Sequence, residues 1–185
     1  MTAYERSDFF FETFGPFEIE KIDGEICRPA REWWDDIENR WEGLPRAIGC
    51  YMFVMGDVNI KPWYVGKTVN QRGFREECFT DHKLSHYNWV SENYRGPPAM
   101  YFFPMITRPF HDEWRFSRGS SNEGPVKWLE TTLMGMAYAQ NEEISNSREL
   151  KYFRTVHVRG VLGRAPGGRN TGHIAKARQA LFGER

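Results

Sequence analysis

The run Ile48-Gly49-Cys50-Tyr51-Met52-Phe53-Val54-Met55 limits the possible folds more than any other segment. Read as a strand, it points Gly49, Tyr51, Phe53 and Met55 to one side and Cys50, Met52 and Val54 to the other. Both sets are apolar, so both faces need cover, which places the strand near the middle of a sheet with layers on each side. Gly56-Asp57-Val58-Asn59 supplies turn chemistry, and residues 61–66 return as a second strand. Pro62 donates no backbone hydrogen bond, so this second strand belongs at an edge or enters irregularly.

Other segments dress that hairpin. Residues 31–41 carry Trp33, Trp34, Ile37 and Trp41 at helical spacing, closed by Gly43 and Pro45. Residues 73–93 hold no Pro and no internal Gly and read as one helix, and residues 99–107 read as a third strand. Pro125 suits the first turn of a helix running to about residue 140. Residues 155–161 read as a last strand and 174–182 as a short helix. The expectation is an α+β domain: a small antiparallel or mixed three-stranded sheet flanked by helices, with N- and C-terminal extensions. The boundaries are an acidic, Trp-rich extension over 1–47, the domain over 48–147, and a basic extension over 148–185 that packs on it.

The chain has 185 residues, 40% of them apolar and 16% aromatic, enough for a core and unlike a disordered segment. The start MTAYERSDFF has no basic region followed by an apolar run, and no stretch approaches the roughly 18 apolar residues of a membrane helix. A soluble, cytoplasmic protein is the expectation. Cys27, Cys50 and Cys78 are too few and too scattered for a disulfide framework or a zinc site, and read as reduced thiols.

Charge is uneven although the net is zero. Residues 1–47 hold twelve acids against six Lys/Arg, residues 48–147 eleven against ten, and residues 148–185 two against nine. The basic end suits a polyanion, with a solvated basic surface as the alternative. Arg108, Phe110, Trp114, Arg115, Phe116 and Arg118 interleave charge with rings, a mixture that serves nucleic-acid stacking or an ordinary packed loop. Residues 163–168 begin like a phosphate-binding loop, but Arg169-Asn170 follows where Lys and Ser/Thr belong.

Two short motifs carry the chemistry: Gly49-Cys50-Tyr51, and Tyr64-Val65-Gly66-Lys67-Thr68. They lie on paired strands with twelve residues between the tyrosines, so the hairpin brings two phenols to one rim, while the glycines allow close approach. Together these motifs resemble the hairpin of GIY-YIG nucleases, with Cys50 standing where that family most often has an aliphatic residue. The resemblance covers residues 48–147 and implies a small antiparallel sheet flanked by helices, an arginine on the helix after the second motif and a metal-binding glutamate on a later helix.

Glu130, at the border of an apolar helix face, fills the glutamate position, as Mg²⁺ or Mn²⁺ ligand. Pairing to Lys127 is its alternative. Asn141 and Asn146 follow as in the family, Asn146 near the site. Eight residues past Gly66 lands on Phe74, with Arg72 and Arg75 on either side; a one-residue shift puts Arg75 in the arginine role. Arg75, Phe79, His82 and His86 recur at steps of four, three and four, one stripe on a continuous helix, with Arg72 a turn earlier. Together with Lys67 they form a phosphate cradle beside the tyrosines.

The resemblance thus implies a divalent-metal-dependent endonuclease that hydrolyses DNA: Tyr51 as general base helped by Tyr64, Arg75 on phosphate, Glu130 on metal. A second reading keeps the fold as a nucleic-acid-binding module with weak or no catalysis. A third has residues 1–47 holding a protein partner.

Overall fold

The computed structural model describes residues 9–107, 115–119 and 123–145, with four further helical positions, His173, Lys176, Gln179 and Ala180. Residues 1–145 and 146–185 form two compact units. The expected strand over 155–161, most of the helix over 174–182, Asn146, and the stretch from Arg108 to Trp114 lie outside the described residues.

Strands β1 (Phe9–Phe11), β2 (Phe14–Glu18), β3 (Lys21–Ile22) and β4 (Glu25–Ile26) come first. Helix α1 (Arg31–Arg40) follows, then a single 3₁₀ turn at Leu44–Arg46. The hairpin is β5 (Gly49–Met55) and β6 (Lys61–Thr68). Helices α2 (Gly73–Glu77) and α3 (Asp81–Asn93), strands β7 (Pro98–Thr107) and β8 (Arg115–Phe116), and helix α4 (Glu123–Gln140) complete the unit. None of the described helices is long and apolar enough to cross a membrane.

The class is α+β, but among the described residues the sheet has six strands where three were expected. The order β1-β7-β5-β6 places β5 inside, as its two apolar faces require, and β6 last. The additional strands pair with β7: β1 along Met105–Thr107, β2 along Ala99–Phe102 and β8 at Ile106–Thr107, all antiparallel. Strands β1 and β2 are therefore built into the sheet, β3 and β4 pair with each other apart from it, and Ile26, Trp34, Ile37 and Leu44 enter its core, so this segment is not appended to a domain that begins at residue 48. Phe17 of β2 meets Trp41, which follows α1, edge-on at 5.5 Å and lies against Phe102 of β7 at 5.2 Å.

Each sheet face has its own core. Tyr51, Phe53 and Met55 of β5 join Trp34, Ile37, Phe74, Cys78, Phe79, Tyr87 and Phe102 beneath α1, α2 and α3. Ile48, Cys50 and Met105 join Val126 beneath α4, where the Cys50 thiol donates to the Val126 carbonyl at 3.3 Å.

The single helix expected over 73–93 is two. Thr80 is extended (φ −68°, ψ 155°) and starts α3, so α3 does not continue α2. The break carries Cys78 and Phe79 into the core, and Tyr87 Oη donates to the Cys78 carbonyl at 2.9 Å. Gly73 opens α2 with φ +69°, and a Cβ there would collide with the Arg46 backbone. Only glycine combines that dihedral with that contact.

Phe17→Ala tests whether the first strands belong to the fold. Loss of a core phenylalanine costs about 3–5 kcal/mol, read by urea unfolding; a change below about 1 kcal/mol would make this segment an accessory.

Candidate functional site

Strand pairing sets the geometry. Tyr51 lies opposite Gly66 and Phe53 opposite Tyr64, so both tyrosines project to the α2/α3 side of the sheet. Their rings stack at 6.2 Å with 19° between planes. Gly66 makes this possible: a Cβ there would stand 2.5 Å from both Cζ and Oη of Tyr51. The phenol lies flat over a bare backbone.

The two phenols differ in access. Tyr51 is fully buried, and its hydroxyl has no hydrogen-bond partner among the described residues. Burial pushes its pKa well above 10, reinforced by the neighbouring Tyr87, Cys78, Tyr64 and Glu77. A phenol so held keeps its proton, so the general-base role expected of Tyr51 is not one its surroundings support. Tyr64 is half-buried, with the His86 ring at 5.7 Å and Tyr87 edge-on at 5.8 Å.

Position 74, where the resemblance would seat an arginine, is a fully buried phenylalanine, edge-on to Tyr51 at 6.4 Å. Arg75 is exposed and turned toward α1, where its guanidinium is 3.9 Å from Asp35. Arg72 is exposed at the start of α2. The expected stripe from Arg75 to His86 does not form, because the break at 78–80 puts Arg75 on a different helix from the histidines. His82 and His86 do share a face of α3, with ring centroids 4.7 Å apart. Desolvation lowers the His86 pKa, and His82 lowers it further.

A buried lysine and a half-buried glutamate complete this side. Lys83 Nζ donates to the Glu77 carbonyl at 2.6 Å and pairs with the Glu77 carboxylate. The same ammonium lies 5.5 Å from the centre of the Tyr51 ring. Lys83 was not anticipated, although the step-four, step-three spacing of Lys83, Tyr87 and Val90 marks the buried face of α3.

Glu130 is on the other side. Lys67 lies opposite Cys50 and shares its face, and Lys67 Nζ donates to Glu130 Oε2 at 2.6 Å. The carboxylate is buried on α4, and this pair, not Lys127, accounts for its charge. Burial first, then Glu130, raise the Cys50 pKa far above the usual thiol range, so Cys50 is an unreactive thiol here. Asn141 ties the end of α4 to the hairpin by donating to the Pro62 carbonyl at 2.8 Å. The tyrosine pair and the Lys67–Glu130 pair therefore stand back to back across β6. Phe116, from the ring-and-charge stretch, packs edge-on to Phe14 at 5.6 Å, so this part of it serves the fold.

Among the described residues no group of three or more His, Cys, Asp and Glu side chains is placed to hold a metal ion. Glu130 alone fits Mg²⁺ or Mn²⁺ in kind, because these ions accept one protein carboxylate with water and phosphate oxygens completing the shell. Lys67 now neutralises that carboxylate. No protein-family model, curated protein or solved structure matches the chain.

The two buried phenols respond oppositely to loss of their hydroxyls. Tyr51→Phe removes an unpartnered polar group and is expected to leave stability at pH 7 unchanged or up to about 1 kcal/mol higher. Tyr87→Phe loses a hydrogen bond and should cost about 1 kcal/mol. Both folded pKa values lie above the unfolded value of about 10, so their contribution is complete below pH 10 and is lost as pH rises beyond it. Urea unfolding at pH 8 and pH 11 measures this, and Tyr51→Phe should lessen the alkaline loss. An equal loss in wild type and variant would mean that Tyr51 ionises freely.

Proposed function

We propose that this chain is an endonuclease that hydrolyses a phosphodiester bond of DNA laid across β6. One observation carries the reading: Tyr64 is held half-exposed, stacked on a buried second tyrosine that only Gly66 can accommodate. A buried hydroxyl without a partner, as on Tyr51, costs stability, and such groups recur where function requires them.

Strand β6 presents unlike groups to its two sides. Tyr64 on one side orients water or accepts its proton, because it is the more accessible phenol. Lys67 on the other side binds phosphate when released from Glu130. A divalent cation, when bound at Glu130, supplies charge stabilisation for phosphate oxygens. Arg72 and Arg75, both exposed, contact the DNA backbone on the α2 side and hold the strand in place.

A second reading, DNA binding without cleavage, is favoured by the phenylalanine at position 74. Phe74 packs against Tyr51, and Arg75 turns to Asp35 and not to the buried phenol.

Incubation with supercoiled plasmid and with single-stranded DNA, in Mg²⁺ or Mn²⁺, separates the two. Wild type should cut, and Tyr64→Phe should cut at least about a hundred-fold more slowly, the usual scale of a positioned proton acceptor. Glu130→Gln should lose the metal-dependent cleavage. Cleavage at the wild-type rate by both variants, each shown folded by circular dichroism, would place the chemistry elsewhere. Salt-sensitive binding with no cutting by wild type establishes the second reading.

A further inference from the structure

We infer that His82 and His86 form a binding site for a borderline divalent cation of the Zn²⁺ class, on the same side of the sheet as Tyr64. The two imidazoles stand four residues apart on α3, the spacing that puts two side chains on one helix face one turn apart. Helical His pairs at this spacing are an established way to grip Zn²⁺. The helix is a firm platform: the adjoining face, about a quarter turn away, is fixed by Lys83, Tyr87 and Val90, all buried.

Distance supports the assignment. Zn–N bonds of about 2.0–2.1 Å put an imidazole centroid roughly 3.2 Å from the metal, so two centroids lie about 4.5 Å apart at a right-angled ligand arrangement and about 5.2 Å apart at a tetrahedral one. The observed separation is 4.7 Å. Imidazole nitrogen prefers Zn²⁺, Ni²⁺ and Cu²⁺, whereas the carboxylate of Glu130 prefers Mg²⁺ and Mn²⁺. The two sides of β6 thus offer different donor chemistry. His82 is exposed and His86 half-buried, so the pair is open to solvent. Two protein ligands leave coordination positions for water or a phosphate oxygen, and the Tyr64 ring is 5.7 Å from that of His86.

The inference goes beyond cleavage and is read by binding alone. Titration of the full chain with ZnCl₂ in an isothermal calorimeter should show a site that weakens in both His82→Ala and His86→Ala. Even groups that merely orient a metal ligand contribute about 10–100-fold to affinity, so either loss should cost roughly ten-fold or more. Tyr64→Phe, the control beside the site, should bind Zn²⁺ within about three-fold of wild type. Imidazole ¹⁵N shifts on zinc addition should move for His82 and His86. Unchanged Zn²⁺ affinity in both alanine variants, or no binding by wild type up to millimolar zinc, overturns the assignment. A chain that binds zinc at this pair and never cuts DNA leaves it standing and removes only the nuclease reading.

Discussion

The contact on which the rest of the structure depends is the ring of Tyr51 lying over the bare backbone of Gly66. It joins the hairpin strands through a side chain as well as through their ladder, and it tolerates no Cβ at position 66. Once that ring is down, Tyr64 stacks against it, Phe74 closes edge-on, and the Lys83 ammonium comes to rest by its face. Glycine in a strand interior normally weakens the strand. Here the lost side chain is replaced by a neighbour's phenol, so the position is filled after all.

Strand alternation then divides the chemistry. Residues 64 and 66 belong to one side of β6 and residue 67 to the other, so a five-residue motif serves two environments. On the α4 side the charges are already matched, Lys67 to Glu130 at 2.6 Å. Glu130 is the buried member, so its pairing matters more than an exposed ion pair would. On the α3 side stand phenols and imidazoles, with the Lys83–Glu77 pair beside them. The proposed functions follow from this split: hard oxygen chemistry at Glu130, nitrogen ligands at His82 and His86, and Tyr64 between solvent and core.

Much of this was legible in the sequence because it is local. The two-faced apolar run of β5, the turn at 56–59, and the helical spacing of Trp33, Trp34 and Ile37 each report on neighbours a few residues away. The pairing of β1 and β2 with β7 joins segments separated by more than eighty residues, and no local period encodes such a partner. The break between α2 and α3 falls at Cys78-Phe79-Thr80, which holds neither Pro nor Gly; burying Phe79 against Trp33 and Trp34 outweighs helix continuity there. The resemblance identified Tyr64 and Glu130 as candidates, but Glu130's partner depended on knowing which side α4 covers. The parity of Lys67 was readable; its helix was not.

A crystal structure of the protein bound to a short DNA strand in the presence of Mn²⁺ is the most direct test of a site organised across β6. The account predicts DNA along β6, with one phosphate within hydrogen-bonding distance of the Tyr64 hydroxyl and another within reach of Lys67. DNA bound with no contact to either residue would contradict it.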